Sequence, residues 1–500
     1  MRYVIAVLMA AAAILGSTVV SAQRRDAAPG NSSDFTRIFQ DLPPFAPPTP
    51  AVKSALRELG RKGGLMDARD NLAAGPVELI VNPALSVSNP NSASHTAGVT
   101  FMGQFFDHDM TFDTTSRLGK PTNPHTTPNA RRPYFDLDSV YGDGPSGSPL
   151  LYDPADRAKF RVEHGGLFED LPRDAGGTAV IADPRNDENL VISGLQAAFL
   201  LFHNRVVDRV RDAAPALTSE EAFHDARQLV TLHYQWLLLR EFLPQFVGTA
   251  MVEDVLTNGG RFYPTSKSES TIPIEFQMAY RFGHSLVRPS YRANFTGAGG
   301  GAFFAMLFDG GAGSGHEPTD LRGGARGSRR FIGWQTFFSF PGFESDTRPN
   351  KRIDTTLSTP LFELPLGAIA SGLPPVSLAE RNLLRHLTWN MPSGQAIAAA
   401  MGGPVLSGAH FAELNAIYAP FASSTPLWYY ILREADVLAN GETLGPVGGR
   451  LVAEVFIGLL RSDPNSILNQ AAPFVPSLGP APGEFRMIDL LHVAGVDQRR

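Results

Sequence analysis

The sequence predicts a mainly α-helical fold with few, short strands and long irregular connections. Apolar residues recur at helical spacing from Asn189 to Asp212, and charged residues collect near the C-terminal end of this segment. Thr218 and Glu221 form a capping-box pattern ahead of a second apolar run, which continues to Pro244. Runs with the strict alternation that is typical of strands are few and short.

The composition is typical of a folded chain that is large enough to enclose a cofactor. Of the 500 residues, 43% are hydrophobic and 18% are charged, and the formal net charge is -6. No long basic run is interleaved with aromatic residues, so we expect no nucleic-acid partner. Cysteine is absent, which excludes a cysteine nucleophile, a zinc–thiolate site and a thiolate ligand to iron.

Residues 1–22 are typical of a cleaved export signal. Arg2 supplies a positive charge, Val4–Gly16 form an apolar stretch, and Val20-Ser21-Ala22 offers small residues for cleavage. The alternative is an uncleaved anchor, but the apolar stretch is shorter than the ~20 residues that span a bilayer. No later segment appears long and apolar enough to cross a membrane, so we expect a secreted or periplasmic protein without stable membrane insertion.

The remainder of the chain predicts an N-terminal arm and one large domain. Residues 23–50 are polar and then proline-rich, which favours an arm wrapped on the body of the protein. Residues 51–500 contain no linker that would separate domains convincingly. Glycine clusters between Thr296 and Arg330 favour a long surface loop over a domain boundary. The sequence does not indicate an oligomeric state.

The stretch GQFFDHDMTFD places three ionisable groups in an otherwise apolar run. Burying such groups is costly unless each has a partner or binds a metal. On a helix, Gln104, Asp107 and His108 stand at i, i+3 and i+4 and share one face. Asp109 points about 100° away from His108, because 3.6 residues make a turn. We therefore expect two different sites back to back.

Two further segments carry candidate site residues. Arg185 and Glu188 stand three apart in DPRNDEN and share a face if the next helix includes them. His284 lies in an apolar, aromatic run beside Gly283, where a bulky planar ligand could approach the backbone. By contrast, His233 in the helix TLHYQWLLL is interpreted as a buried core residue.

The segment RRPYFDLDSVYG is a candidate calcium site. Asp136, Asp138 and Ser139 lie within four positions and offer the oxygen ligands that a hard cation prefers. The twelve-residue order of an EF-hand is absent. An acidic turn is the alternative, since Asp and Ser both favour turns.

Taken together and in order, from about Thr100 to Leu460, these pieces resemble the animal-type haem peroxidases of the peroxidase–cyclooxygenase superfamily, including bacterial relatives. The resemblance implies a single large haem-peroxidase catalytic domain of the animal type. The matching motifs are GQFFDHD, DLDSVYG, DPRNDEN, FHNR, YRFGHSLVRP, FFSFPG, RNLLR, MPSGQ and GPVGGRLVAEVFIGLL.

The resemblance assigns a role to each residue that matches a family motif. His108 and Arg185 resemble the distal histidine and arginine, and Gln104 matches the glutamine that lines the distal pocket. His284 resembles the proximal ligand of the haem iron, and Asn382 matches the asparagine bonded to its other nitrogen. The cofactor implied is haem b.

Carboxylates are implied for covalent haem attachment and for calcium. Asp107 and Glu188 correspond to the residues that form ester links to haem methyl groups. Backbone oxygens complete the calcium site, and Arg132 stands where relatives have a threonine ligand. The implied calcium residues are Asp109, Arg132, Tyr134, Asp136 and Asp138.

The resemblance predicts reduction of hydrogen peroxide with oxidation of bromide, iodide, thiocyanate or phenolic donors. Asn189 replaces the methionine of a sulfonium haem bond, which rules out that third covalent link. The alternatives are a fatty-acid dioxygenase of the same superfamily and a calcium-stabilised secreted protein without catalysis. Dioxygenases use a radical tyrosine three residues before the proximal histidine, where Arg281 stands here, with Tyr280 displaced by one residue.

Overall fold

Helices form most of the ordered elements, which confirms the predicted mainly α fold with few short strands. The computed structural model describes residues 35–164, 168–263, 270–296, 301–312, 317–324 and 326–500. The export signal expected at residues 1–22 lies outside these ranges.

Eleven of the longer helices in the described ranges are labelled α1 to α11. They are α1 (Pro50–Gly60), α2 (Ala97–Met110), α3 (Leu190–Ala213), α4 (Ser219–Leu237), α5 (Thr249–Asn258), α6 (Ile274–Tyr280), α7 (Leu378–Thr388), α8 (Gly394–Ala400), α9 (Leu427–Ala439), α10 (Pro446–Ser462) and α11 (Met487–Ala494). Shorter helical turns include Asp138–Tyr141, Leu243–Val247 and Gly283–Leu286.

The strands in the same ranges form four two-stranded pairs. One pair is parallel, β1 with β5, and the pairs β2 with β8, β3 with β4 and β6 with β7 are antiparallel. The strands are β1 (Phe35–Thr36), β2 (Asn91–Thr96), β3 (Glu163–His164), β4 (Glu169–Asp170), β5 (Ile272–Pro273), β6 (Ser290–Arg292), β7 (Phe304–Met306) and β8 (Pro349–Lys351).

Helix α3 crosses the core and packs against α4 and α11. Asn189 caps it, since its side chain accepts hydrogen bonds from the N–H groups of Val191 and Ile192. By length and a mean hydropathy of 1.4, α3 could span a membrane, so the expectation that no segment beyond the export signal could do so is wrong. The physical reason is burial: 83% of its apolar window lies inside the protein, where a helix is apolar on several faces.

Helix α4 begins as predicted but its helical path runs past the predicted end. Thr218 and Glu221 form the capping box. After α4, a π-helical turn over Leu238–Phe242 leads into the turn Leu243–Val247, which contains Pro244. A proline is tolerated near the start of a helical segment because its missing N–H is not needed there.

The glycine-rich segment between Thr296 and Arg330 is more than the surface loop predicted from its composition. Part of it forms β7, which pairs with β6, and Leu321 and Arg330 are fully buried. Arg330 donates hydrogen bonds to the carbonyls of Pro318 and Asp320 at 2.8 and 2.6 Å. Glycine density alone did not indicate that a buried arginine would connect parts of this segment to one another.

Residues 35–49 lie against the body of the protein. The side chain of Phe35 is fully buried, and the N–H of Phe45 donates to the carbonyl of Met391 at 2.7 Å. The carboxylate of Glu275 accepts hydrogen bonds from the N–H groups of Ile38 and Phe39 at 3.0 and 3.2 Å. This segment therefore reaches α6, which precedes His284.

Aromatic contacts fix helix α2 among its neighbours. The ring of Phe105 stacks on Phe199 of α3, with 4.6 Å between ring centroids, and Phe106 lies 5.0 Å from Tyr234 of α4. At Gly103, a Cβ atom would lie only 2.9 Å from the ring of Phe242, so this close approach requires glycine. Helix α2 is thereby held with two faces against different partners.

Candidate active site

Helix α2 carries its polar residues on two sides, as its sequence spacing predicts. Gln104, Asp107 and His108 line one cavity, whereas Asp109 is fully buried elsewhere, against the loop that begins near residue 131. His284 lines the same cavity from another part of the chain. Other lining residues include Arg185, Glu188, Asn189, Phe242, Tyr280, Arg281, Gly283, Leu307, Leu361 and Arg385.

The ring of His108 is neutral and held in one orientation. Its Nδ1 lies 2.8 Å from the amide oxygen of Asn186, whose amide nitrogen donates to Gln196 at 2.8 Å. Burial, followed by the nearby positive charge of Arg185, lowers the pKa of His108 to about 4. A neutral imidazole fixed through Nδ1 can present its Nε2 to the cavity.

Arg185 belongs to a short 3₁₀ turn rather than to the helix that follows. The turn spans Pro184–Asp187 and α3 begins only at Leu190, so the helix that follows includes neither Arg185 nor Glu188, and the condition for a shared face on that helix is not met. The guanidinium lies 4.2 Å from the ring centre of Phe112. Its Nη2 donates to the carbonyl of His108 at 3.0 Å, which joins the turn to α2.

Two carboxyl groups reach the cavity in different environments. Glu188 accepts a short hydrogen bond from the amide of Gln104, and burial raises the pKa of Glu188 to about 8. Asp107 is 39% exposed at its side chain and lies 3.9 Å from Nη1 of Arg185. Asn189 caps α3 and also donates to the oxygen of Gln104 at 3.4 Å.

His284 lies in the short helix Gly283–Leu286 and contacts Asn382 of α7. The amide nitrogen of Asn382 lies 2.7 Å from Nδ1 of His284, and its oxygen accepts from Nη1 of Arg281 at 3.1 Å. Burial, followed by the charge of Arg281, lowers the pKa of His284 to about 3. When Nε2 binds a metal, Nδ1 carries the proton and needs an acceptor. A half-turn of the Asn382 amide would bring its oxygen to Nδ1 and would give up the bond from Arg281.

The space beside His284 suits a bulky, planar group that carries acceptor atoms. A Cβ atom on Gly283 would meet no other atom within 4 Å. The Nε atom of Arg281 is buried and has no hydrogen-bond partner, and burial lowers the pKa of Arg281 to about 9. A buried donor of this kind is costly to leave unpaired, and a carboxylate on a bound group would satisfy it. The residues present therefore fit haem.

Three carboxylates meet on the other side of α2. Oxygen atoms of Asp109, Asp136 and Asp138 all lie within 4.8 Å of one another. Burial, followed by the charges of Asp138 and Asp136, raises the pKa of Asp109 well above its ordinary value. Burial and then Asp136 also raise the pKa of Asp138. Such a cluster favours a bound cation, which relieves the repulsion among the carboxylates.

Asp109 is fixed by donors from two elements. Its carboxylate accepts from the N–H of Leu137 at 2.9 Å, from Oγ of Ser139 at 3.0 Å and from the hydroxyl of Tyr234 at 3.1 Å. Ser139 is fully buried. These bonds tie α2 to the loop and to α4, so the acidic cluster is part of the framework behind His108.

Arg132 approaches the acidic cluster with its side chain. Its Nη2 lies 3.0 Å from Asp136 and its Nε 3.7 Å from Asp138. Its carbonyl, expected from the sequence to bind calcium, accepts a hydrogen bond from the N–H of Tyr134 at 2.7 Å. A carbonyl oxygen has two lone pairs, so this bond leaves one for a cation. The exposed guanidinium offsets part of the negative charge.

Sequence reasoning missed two residues that hold the site together. Asp183 accepts three hydrogen bonds from Arg185, and Asn186 orients His108. Both lie inside the motif DPRNDEN, and an aspartate two residues before an arginine was the available signal. His233 is buried and bonded through both ring nitrogens, which confirms its interpretation as a core residue.

Comparisons with known proteins find similarity to peroxidases over part of the chain. The family model described as animal haem peroxidase matches residues 115–298. The peroxidase mlt-7 of Caenorhabditis elegans is 30% identical over 133 residues, which cover 24% of this chain and 18% of that protein. The aligned segment is thus less than a fifth of that relative's length.

Solved structures share the fold over a larger part of the chain. Peroxidase A from Dictyostelium discoideum superposes with a TM-score of 0.54 at 16% identity, covering 75% of this chain and 80% of its own. The fatty acid alpha-dioxygenase of Oryza sativa gives a TM-score of 0.55 at 16% identity, with coverages of 75% and 70%. At such identities the likeness concerns the fold alone. The chain is therefore similar to animal haem peroxidases in sequence over residues 115–298 and shares its fold with a solved peroxidase over most of its length.

Proposed function

We propose that this protein is a haem-dependent peroxidase that reduces hydrogen peroxide and oxidises small donors. The observation that carries the proposal is a single cavity lined by two neutral histidines, His108 and His284, together with Arg185 and Gln104. Neutral imidazoles can bind a metal or take up a proton, and the guanidinium can stabilise negative charge. Few other reactions need all of these groups in one cavity.

His284 is the residue that would hold the iron, with Asn382 as the partner of its second nitrogen. Arg281 and Arg385 line the same cavity and would bind the carboxylates of haem. When bound, haem supplies the redox chemistry that transfers two electrons from the donor to peroxide. Asn382 would tune the electron donation of His284 to the iron through the hydrogen bond at Nδ1.

His108 and Arg185 would act on peroxide within the cavity, His108 by transferring a proton and Arg185 by stabilising negative charge. His108 takes a proton from one oxygen of hydrogen peroxide and returns it to the oxygen that leaves as water. Arg185 stabilises the negative charge that develops as the O–O bond breaks. Gln104 lines the pocket and would orient peroxide or a small anion by hydrogen bonding. The leaving oxygen already carries one hydrogen, so this transfer completes the water molecule, and the one proton consumed in the overall reaction with a halide comes from solvent.

Small anions and phenols are the proposed donors. Bromide, hydrogen peroxide and one proton yield hypobromous acid and water, and iodide or thiocyanate would react alike. Asn189 cannot form a sulfonium bond, so the haem lacks the positive charge that such a bond provides and the oxidised protein is a weaker oxidant. We therefore expect bromide, iodide and thiocyanate to be oxidised more readily than chloride, with one-electron oxidation of phenols alongside.

Asp107 and Glu188 are the proposed sites of ester links to haem. Both line the cavity. The raised pKa of Glu188 keeps a protonated carboxyl available near neutral pH, whereas Asp107 is open to the cavity. Each ester link would replace one methyl C–H bond of haem and one carboxyl O–H bond by a C–O bond, and one equivalent of hydrogen peroxide would accept the two electrons and two protons and be reduced to water.

Calcium is the proposed occupant of the acidic cluster. The support is the approach of Asp109, Asp136 and Asp138 within 4.8 Å and the raised pKa values of Asp109 and Asp138. Backbone oxygens of Arg132 and Tyr134 would complete the shell with water. The ion would hold the loop against α2 and would not take part in electron transfer.

We further assign residues 51–500 to one peroxidase domain and residues 23–50 to an N-terminal arm. Residues 1–22 are proposed to direct the protein to the periplasm or out of the cell before they are removed. A lack of cysteine agrees with a protein that relies on its core, haem and calcium rather than on disulfides for stability.

A fatty-acid dioxygenase is the second candidate. The observation that favours it is Tyr280, which lines the cavity and donates from its hydroxyl to the carbonyl of Gly103 at 2.9 Å. Apolar residues of the same cavity, such as Leu307 and Leu361, could pack against an acyl chain. Oxygen uptake with a saturated fatty acid, abolished in Tyr280→Phe, would support this candidate over the peroxidase.

Turnover with a panel of donors tests the proposal. The purified protein, reconstituted with haem, receives peroxide with chloride, bromide, iodide, thiocyanate or a phenol, between pH 5 and 7, and halogenation of a model acceptor is followed. We expect product with bromide and thiocyanate and little with chloride. Failure to take up haem would favour the non-catalytic alternative, and efficient chlorination at neutral pH would contradict the role given to Asn189.

A further inference from the structure

A row of alternating charges links the acidic cluster to Arg185. Nη1 of Arg131 lies 3.5 Å from Oδ1 of Asp138, and Nε of Arg131 lies 3.1 Å from Oδ2 of Asp183. Asp183 then accepts from the N–H, Nε and Nη2 of Arg185 at 2.9, 3.0 and 2.7 Å. The charges therefore alternate along a row that leads from the loop behind α2 to the cavity. The row consists of Asp138, Arg131, Asp183 and Arg185.

Asp183 is the carboxylate that compensates the charge of Arg185. Its side chain is fully buried, and that of Arg185 is 13% exposed. Two of the guanidinium nitrogens point to Asp183, which sets the plane of the guanidinium. The next carboxylate is Asp107, 3.9 Å away on the side of the cavity. Without the charge of Asp183, Arg185 would turn towards Asp107.

Arg131 holds Asp183 from the other side. Its Nη2 donates to the carbonyl of Ala182 at 3.1 Å, so one guanidinium contacts two consecutive residues of the turn. The side chain of Arg131 is only 13% exposed, and it belongs to the loop that also supplies Asp136 and Asp138. The position of Asp183 is therefore set by that loop as well as by its own turn.

We propose that Asp183 is a positioning residue for Arg185, and that Arg131 fixes the position of Asp183 relative to the loop that carries the acidic cluster. The inference rests on the proposed function, because Arg185 needs a fixed direction only if it acts on peroxide or an anion in the cavity. The competing explanation is local: Asp183 also caps its own turn through the N–H of Arg185, and this alone would be a structural role.

Fluoride binding to the haem-loaded protein separates these explanations. Fluoride affinity, read from the visible spectrum, depends on a hydrogen-bond donor above the iron, and it is measured with the rate of reaction with peroxide. Asp183→Asn keeps the size of the side chain but removes its charge. We expect about tenfold weaker fluoride binding and about tenfold slower reaction, as for loss of a hydrogen bond to a charged group.

A double-mutant cycle shows whether the effect passes through Arg185. In an Arg185→Met background, Asp183→Asn should cause no further loss, because the group that it positions is gone. Arg131→Gln should cause a smaller loss, about threefold, and Arg131→Lys should recover part of it. The matched control is Asp156→Asn, which breaks a comparable two-pronged pair with Arg211 at 2.6 and 2.8 Å outside the cavity, and should change neither readout.

Equal losses from Asp183→Asn with and without Arg185 would overturn the positioning role, as would wild-type behaviour of Asp183→Asn. Should Asp183→Asn fail to fold, the same cycle with Arg131→Gln decides the question. A wild-type protein that binds haem and fluoride but does not react with peroxide would contradict the proposed function, while the fluoride cycle would still decide the positioning role. A wild-type protein that takes up no haem would overturn both.

Discussion

His108 and Asp109 are adjacent in α2, yet their side chains serve opposite surfaces of the helix. His108 lines the cavity and bonds to Asn186 at 2.8 Å, whereas Asp109 accepts from Leu137 at 2.9 Å and from Ser139 on the far side. Because the two residues share one peptide link, a shift of Asp109 moves the backbone of His108. The two sites of α2 are therefore mechanically joined.

Replacement of His108 by alanine should slow the reaction with peroxide without removing haem. The expected loss is roughly 10²- to 10⁴-fold, as for removal of a general base. Stopped-flow measurement of the spectral change after peroxide addition gives the rate constant. His125→Ala is the control, because His125 is exposed and outside the cavity. An unaltered rate in His108→Ala would exclude this histidine as the proton acceptor.

If the acidic cluster holds the proposed cation, replacement of Asp109 by asparagine should release it and loosen α2. The loss of a buried carboxylate ligand lowers metal affinity, and binding energy of the ion is part of the stability of the folded state. Metal analysis of the dialysed protein and the midpoint of thermal unfolding provide the readouts. Chelator should lower the midpoint of the wild-type protein and leave Asp109→Asn unchanged.

A partly exposed ion pair offers the control for that experiment. Asp346→Asn removes a carboxylate that pairs with Arg292 at 3.4 Å and does not belong to the acidic cluster. It should keep the cation and the response to chelator. Full cation content in Asp109→Asn would show that the cluster does not bind the ion through this residue.

The ester links can be followed by the mass of the polypeptide. After peroxide treatment, denaturation and extraction with acidified organic solvent, haem should stay on the wild-type chain. Asp107→Asn or Glu188→Gln alone should retain it through the remaining link, and the double variant should release it. Complete extraction from the wild-type chain would mean that no ester forms.

Local sequence patterns predicted α2 and α3, because helical spacing and capping residues are signals that lie within a few residues of one another. The spacing of Gln104, His108 and Asp109 indicates two faces of one helix, and Asn189 stands where α3 is capped. The arrangement of the cavity from distant segments followed only from the family resemblance. No property of the sequence around His284 indicates by itself that it shares a cavity with His108.

Long-range polar contacts could not be predicted from the sequence. Arg131 and Asp183 stand 52 positions apart in numbering, and either could be a solvated surface charge. The buried Arg330 lies in a glycine-rich stretch that favours a loop, but its Nη1 donates to two carbonyls of the same segment. Burial depends on the whole fold, and short patterns do not report it.

Stability should fall as pH rises from about 4.5 to 7 because of Glu434. Burial raises the pKa of Glu434 to about 7, although the N–H groups of Val447 and Gly448 act to lower it. The unfolded chain releases this proton near 4.5, so the folded state binds more protons between about pH 4.5 and 7. The contribution of protonated Glu434 to the free energy of unfolding is therefore fully present below that window. It falls as the pH rises through the window and is lost above it.

The Glu434→Gln variant tests the predicted direction of this change of stability with pH. The variant is neutral at every pH, so it should exceed the wild-type protein in stability by up to about 3 kcal/mol at pH 8 and match it near pH 4. The midpoint of thermal unfolding at both pH values gives the comparison. Glu484→Gln, at an exposed position, should change neither midpoint. A Glu434→Gln protein that is less stable at pH 8 would refute the assignment.

Haem content and the visible absorption spectrum of His284→Ala show whether His284 holds the haem iron. We expect the wild-type protein to show an intense haem band and to react with peroxide, and His284→Ala to lose the band or show a shifted one with turnover abolished. Added imidazole should restore part of the wild-type spectrum by filling the place of the lost ring. A His284→Ala protein with a normal haem spectrum and full turnover would contradict the assignment of His284 as the iron ligand.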